Sequence, residues 1–174
     1  MSKKIGFTIV EVSLVLGIAG LIFMMVFIAL PTLQRNQRDA QRREDMIILE
    51  DAIKNYQKNN RGALPTIKDA LVSGDTAKSG GYADGQYTKT WAGLYRDYLR
   101  DTFKDPSGQN YNLNITTCIK DSNGFCSQTV TVQPTVLVLL QASCNGEKPE
   151  WVSNPRRLAI LYKLEGGGIY CGSF

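Results

Sequence analysis

Few residues in this chain have the types and spacing for chemistry, and the missing ones narrow the options first. The 174 residues include no histidine, which removes the commonest general base, the Ser-His-Asp arrangement and the usual metal-ligand sets. No P-loop or dinucleotide glycine pattern occurs, and the glycines at 166–168 precede a strand-like IYC rather than a helix. Asp97 and Asp101 are four residues apart but interleaved with Arg96 and Arg100, the pattern of surface charge on a helix. No enzymatic activity and no cofactor are expected. Two features remain: the cysteines at 118, 126, 144 and 171, and one carboxylate, Glu11, inside a stretch that is otherwise apolar from Ile5 to Leu30.

All four cysteines lie in the second half of the chain, which fits export of that half to an oxidising compartment, where an even count favours disulfides. Three connectivities are open. Cys118 and Cys126 flank a turn and could close it, leaving Cys144 to pair with Cys171. Zinc competes for the same residues, but the C-x-x-C spacing and any assisting histidine are missing.

The stretch that carries Glu11 exceeds the roughly 20 residues that cross a hydrocarbon core as a helix. Lys3 and Lys4 before it favour a cytoplasmic N-terminus, against which Arg35, Arg38, Arg42 and Arg43 count on the far side. A secretory signal would have a shorter apolar region ending in small residues, so the anchor is expected to be retained. A carboxylate at depth costs at least about 2.5 kcal/mol even on lenient scales. Glu11 therefore needs either a partner or a short reach to the headgroups.

The remaining elements follow from periodicity. Lys and Arg number 20 against 16 Asp and Glu, a formal +4, and the arginines at 35–43 alternate with Asp39, Glu44 and Asp45, as on a solvated helix face. Met46, Leu49, Ile53 and Tyr56 recur at helical spacing, with Ile48 and Ala52 beside them. The helix should therefore continue to about residue 60 as a polar stalk with an amphipathic end. LPTIKDALVSG predicts a short helix after Pro65, SGGYADGQYTK a loop, and WAGLYRDYLRDTF a second short helix with core aromatics. DPSGQNY, from Asp105 to Tyr111, is a turn. Beyond it the period is two: YNLNITTCI and FCSQTVTVQ predict a hairpin around KDSNG, and TVLVLLQASC, RRLAILYKL and GGGIYCGSF predict further strands. One long helix covering a sheet of about four antiparallel strands makes an α+β fold.

KKIG followed by FTIVEVSLVLGIAG resembles the processing site and N-terminal helix of a type IV prepilin: a basic leader ending in Gly6, an aromatic Phe7, and Glu11 as the fifth residue after the cut. The match covers about the first 30 residues and is one of layout beyond residue 60. Gly20 falls where the family has a helix-softening glycine, whereas Pro31 lies a few residues later than the family's usual proline. The resemblance implies a pilin fold, and a prepilin peptidase that cuts between Gly6 and Phe7 on the cytoplasmic side and methylates the new Phe7 amine. Glu11 would then meet that amine on a neighbouring subunit, an attraction that is strong at low dielectric.

The segments expected on this basis are a removed leader (1–6), a transmembrane and assembly helix (7–31), its amphipathic continuation (32–60), a helix-to-sheet loop (61–110) and a disulfide-closed sheet (111–174). The implied function is that of a structural subunit of a type IV pilus, serving adhesion, twitching motility or DNA uptake. Its partners would be copies of itself and other pilins, the peptidase, and an assembly platform with its ATPase. It would wait as a single-pass protein of the cytoplasmic membrane and end in an extracellular fibre. Alternatives are a pseudopilin of a type II secretion or competence system, and a minor pilin that binds DNA or a host surface.

Overall fold

The computed structural model describes residues 6–66, 71–73, 90–99 and 103–174. Most of the leader, residues 67–70 of the helix expected after Pro65, the loop at 79–89 and the end of the second short helix at 100–102 lie outside the described residues. The chain divides into two compact units, Met1–Gln37 and Arg38–Phe174.

Helix α1 spans Ile9–Asn59 and passes through Pro31 without interruption. In the first unit its apolar side chains are exposed all round, from Ile9 at 86% to Leu33 at 55%. That window is long and apolar enough to cross a membrane, a surface for which water is the wrong solvent.

In the second unit α1 becomes one-sided. Met46, Leu49, Ala52, Ile53 and Tyr56 are buried against the sheet, as the helical spacing requires. Ile48, expected beside this face, is instead 48% exposed. Thr90 caps the short helix α2, Trp91–Tyr98, by accepting from the Gly93 N–H, and Trp91, Leu94 and Tyr95 of α2 join the same core.

The sheet has five strands in the order β1-β2-β3-β6-β7. They are Leu71–Ser73, Asn112–Thr117, Thr135–Leu140, Leu158–Lys163 and Ile169–Ser173. A separate pair is formed by β4, Ala142–Asn145, and β5, Lys148–Trp151. The fold is α+β, with a long helix on a largely antiparallel sheet. Leu71–Ser73, expected to be helical, is an edge strand paired antiparallel to β2.

The expected hairpin around KDSNG forms only at its turn, where Lys120 bridges Cys126. Beyond it β2 pairs in parallel with β3, from Asn112 opposite Thr135 to Thr117 opposite Leu140. The reason lies in side-chain supply. Val136 and Val138 face α1, while Leu137 and Leu139 face the other core. Such a strand needs cover on both faces and takes the centre of a sheet. The polar SQTVTVQ cannot compete for that place and crosses the back face, burying Val130. The strand expected over TVLVLLQASC is also broken, because Gln141 adopts φ 57°, a left-handed turn that separates β3 from β4.

Candidate functional site

The helix start is built by two residues. Thr8 precedes α1, and its hydroxyl accepts the Glu11 N–H at 3.3 Å. The Glu11 carboxylate accepts in return from the Thr8 N–H at 3.4 Å and the Thr8 hydroxyl at 3.3 Å. This is a reciprocal capping box, which satisfies donors that a helix N-terminus otherwise leaves unpaired. Gly6 and Phe7 stand just before it in non-helical, exposed backbone, with Phe7 at 86% exposure. Phe7, Glu11, Val12, Val15 and Leu16 line one shallow hollow. The sequence reading picked out Gly6, Phe7 and Glu11 but missed Thr8, although T-x-x-E was there to be seen.

A second cluster was missed altogether. The arginines and acids near residue 40 were read as a solvated face, yet Asp39, Arg42 and Asp45 are buried. The guanidinium of Arg42 donates to Asp105 at 2.8 Å, to Asp39 at 2.9 Å and to Glu165 at 3.1 Å. Arg38 adds a fork onto Glu165 at 2.8 and 2.6 Å. The Asp39 carboxylate also accepts the backbone N–H groups of Glu165 and Gly166 at 2.9 and 2.7 Å. The β6–β7 turn that supplies them needs glycine at Gly167 and Gly168, with φ of 97° and 84°.

Asp105 heads the turn that leads into the sheet. It accepts from the Ser107 N–H at 2.9 Å and the Tyr162 hydroxyl at 2.9 Å. One turn of α1 further on, Asp45 accepts from the Tyr111 hydroxyl at 2.8 Å. Three chain segments far apart in sequence thus meet on one side of α1.

The electrostatics follow from these contacts. Burial alone would raise the Asp105 carboxyl, but hydrogen bonds from Arg42, Ser107 and Tyr162 outweigh it and hold it at about 2. The same contest ends in favour of charge at Arg42, raised above its ordinary value, and at Asp39, lowered by the Glu165 and Gly166 N–H groups and by Arg42. At Asp45 burial wins over the Tyr111 hydrogen bond and pushes the carboxyl up. Glu165, at the surface, is held at about 2 by Arg38 and then Arg42. These charges are consumed by one another, a fastening rather than a reactive centre. Among the described residues no group of His, Cys, Asp and Glu could hold a metal ion.

The cysteines are bonded as Cys118–Cys126 and Cys144–Cys171, with Cα separations of 5.2 and 5.8 Å. The first closes the turn whose N–H and C=O groups extend β5, through Trp151 N–H to Gly124 C=O and Cys126 N–H to Pro149 C=O. The second ties β4 to the edge strand β7.

In comparisons with known proteins, a type II secretion system core protein G of Klebsiella pneumoniae is 30% identical to this chain over 121 residues, 65% of the chain and 76% of that protein. The chain belongs to the pilin-like family. Neither a family model nor a solved structure matches it. As a pilin-like protein it is a structural protein and not an enzyme, and the one long apolar helix among the described residues suggests membrane anchoring.

Proposed function

We propose that the chain is a filament-forming subunit of a type II secretion or related export system, trimmed between Gly6 and Phe7 and polymerised through its N-terminal helix. The observation that carries this reading is the pairing of an exposed, non-helical Gly6–Phe7 step with Glu11 one turn into an apolar helix. Cleavage there would free an amine at Phe7, and methylation would leave it able to carry charge. That amine is the natural partner for Glu11 of an adjacent copy, since a buried carboxylate without one is strongly destabilised. In the uncleaved chain Glu11 caps its own helix through Thr8.

The segments then take their roles: residues 1–6 are the removed leader, 7–31 the membrane and assembly helix, 32–60 its continuation, 61–110 the connection and 111–174 the outer sheet. Partners are copies of the chain, related pilin-like subunits, the peptidase, and an ATPase-driven platform that extracts subunits from the cytoplasmic membrane. A surface type IV pilus is the second reading, favoured by Cys144–Cys171, which pins the C-terminal strand as suits an exposed fibre. The two are separated by fractionation. Electron microscopy of cells expressing the full chain with its assembly machinery should find fibres that stay with the envelope for the secretion reading, or shear from the surface for the pilus reading. A processed chain that forms no fibre in either fraction would overturn both.

A further inference from the structure

Two chain segments free of acids meet at the C-terminal end of α1. No Asp or Glu occurs from Ala52 to Thr66 or from Trp151 to Leu164. The first segment carries Lys54, Lys58 and Arg61, and the second carries Arg156 and Arg157 side by side, with Lys163 at the other end of β6. The Gln57 side chain donates to the Arg156 carbonyl at 3.2 Å and ties the segments together. The Arg156 guanidinium then lies against Gly62, with Nη1 3.4 Å from the point a Cβ would occupy there. Lys54, Gln57, Lys58, Gly62 and Arg156 line one open hollow of about 380 Å³.

The fold does not use these charges. Lys54 is met by Glu50 at 3.4 Å and Asp51 at 3.7 Å. Lys58, Arg61, Arg156 and Arg157 are exposed, and among the described residues none of these four side chains has an ion pair or a hydrogen bond. Nor are they needed to cap α1. The Tyr56 and Gln57 carbonyls already accept the backbone N–H groups of Asn60 and Gly62, at 3.0 and 2.7 Å. Like charges gathered without a counter-charge from their own chain favour an anion from outside it.

The surroundings of the cations say which anion. A protein partner is held by apolar and aromatic anchors at the centre of its contact. Among the described residues of 52–62 and 152–157, no large apolar side chain is exposed. What faces solvent there is cationic or amide, with Asn55 and Asn59 beside Lys58. Guanidinium, ammonium and amide donors are the groups that contact phosphate oxygens along a nucleic-acid backbone. Unpaired bases would need an exposed ring to stack on, and Tyr56 is buried, so the surface suits a duplex better than a single strand.

We propose that Lys58, Arg61, Arg156 and Arg157 form a seat for the phosphate backbone of double-stranded nucleic acid, recognised by charge and not by sequence. This goes beyond the filament reading and does not depend on it, since no residue of the seat belongs to the apolar N-terminal helix.

The test is fluorescence anisotropy of a labelled DNA duplex of about 20 base pairs, titrated with the full chain in non-ionic detergent from about 50 to about 200 mM NaCl. Four phosphate contacts predict a slope of about −3.5 for log affinity against log salt. Lys58→Ala and Arg156→Ala should each weaken binding about tenfold at the lowest salt and make the slope shallower by about one. Lys120→Ala, whose ammonium rests 4.9 Å from the Trp151 ring centroid, should change neither, and near-UV circular dichroism shows that each variant folds. Absence of saturable binding at the lowest salt, or equal losses from all three variants, overturns the seat. Tighter binding of a single strand of the same length overturns the duplex, and displacement by polyglutamate at equal charge makes this a surface for acidic proteins instead. No fibre takes part in the assay, so each of these failures leaves the filament reading intact.

Discussion

The two units of this molecule handle polar groups in opposite ways. Up to Gln37 the helix exposes apolar side chains on every side and keeps one acid, Glu11, whose hydrogen bonds come from the adjacent Thr8. From Arg38 onward three buried acids and a buried arginine are matched by groups from α1, the entry turn and the β6–β7 turn. The second unit completes itself. The first meets its needs locally and leaves its apolar surface exposed, so on the proposed filament reading a substitution should be felt as lost stability in the second unit and as lost assembly in the first.

The largest effect expected is at Arg42. Replacing it with Ala leaves Asp105 and Asp39 buried without their cation, and should lower the unfolding free energy of the second unit by about 3–5 kcal/mol. Denaturant unfolding of the full chain in detergent, followed by near-UV circular dichroism, would measure it. Leu21→Ala, in the exposed stretch, should change the same quantity by less than about 0.5 kcal/mol. Equal losses at the two positions would erase the contrast.

Next come the disulfides. Cys144 and Cys171 are 27 residues apart and Cys118 and Cys126 are 8 apart, so loop-closure entropy assigns about 3–4 kcal/mol to the first and about 2.5 kcal/mol to the second. Paired Cys→Ser variants, compared by thermal unfolding, should show that order.

Acid should then sharpen the picture. The Asp105 carboxyl sits near 2 in the folded chain against an ordinary value of 3.8. Its contribution is therefore complete above about pH 4 and is lost as pH falls toward 2, a change of about 2–3 kcal/mol. Asp45 runs the other way, because burial raises its folded value: its contribution is present at low pH and is lost as pH rises through that value. Asp45→Asn keeps an acceptor for Tyr111 and should remove this opposing slope. Unfolding measured from pH 7 down to 2 in both chains would show it.

The smallest effect belongs to the helix start. Thr8→Ala removes the cap and should cost about 1 kcal/mol of local helix stability. Hydrogen exchange should see it at residues 9–12, while the unfolding of the second unit stays put.

What could be read from the sequence divides along the same line. The apolar run and the burial of Met46, Leu49, Ile53 and Tyr56 are local patterns, and a period exposes them. The Arg42 cluster depends on Asp105 and Glu165, 63 and 123 residues away, so a charge-rich helix segment looked like a solvated one. The parallel β2–β3 pair was hidden for a similar reason: adjacent segments with a turn between them favour a hairpin, and only the two-sided burial of β3 decides otherwise. Thr8 alone was missed without such an excuse, since its partner is three residues away.

The most direct test of the central claim is intact mass and N-terminal sequencing of the full chain recovered from its fibres, with and without reductant. A chain that begins at methylated Phe7 and gains the mass of four hydrogens on reduction is the expected result. A chain that still carries Met1 to Gly6 inside an assembled fibre would contradict it, because Phe7 would then have no free amine to offer a neighbour's Glu11.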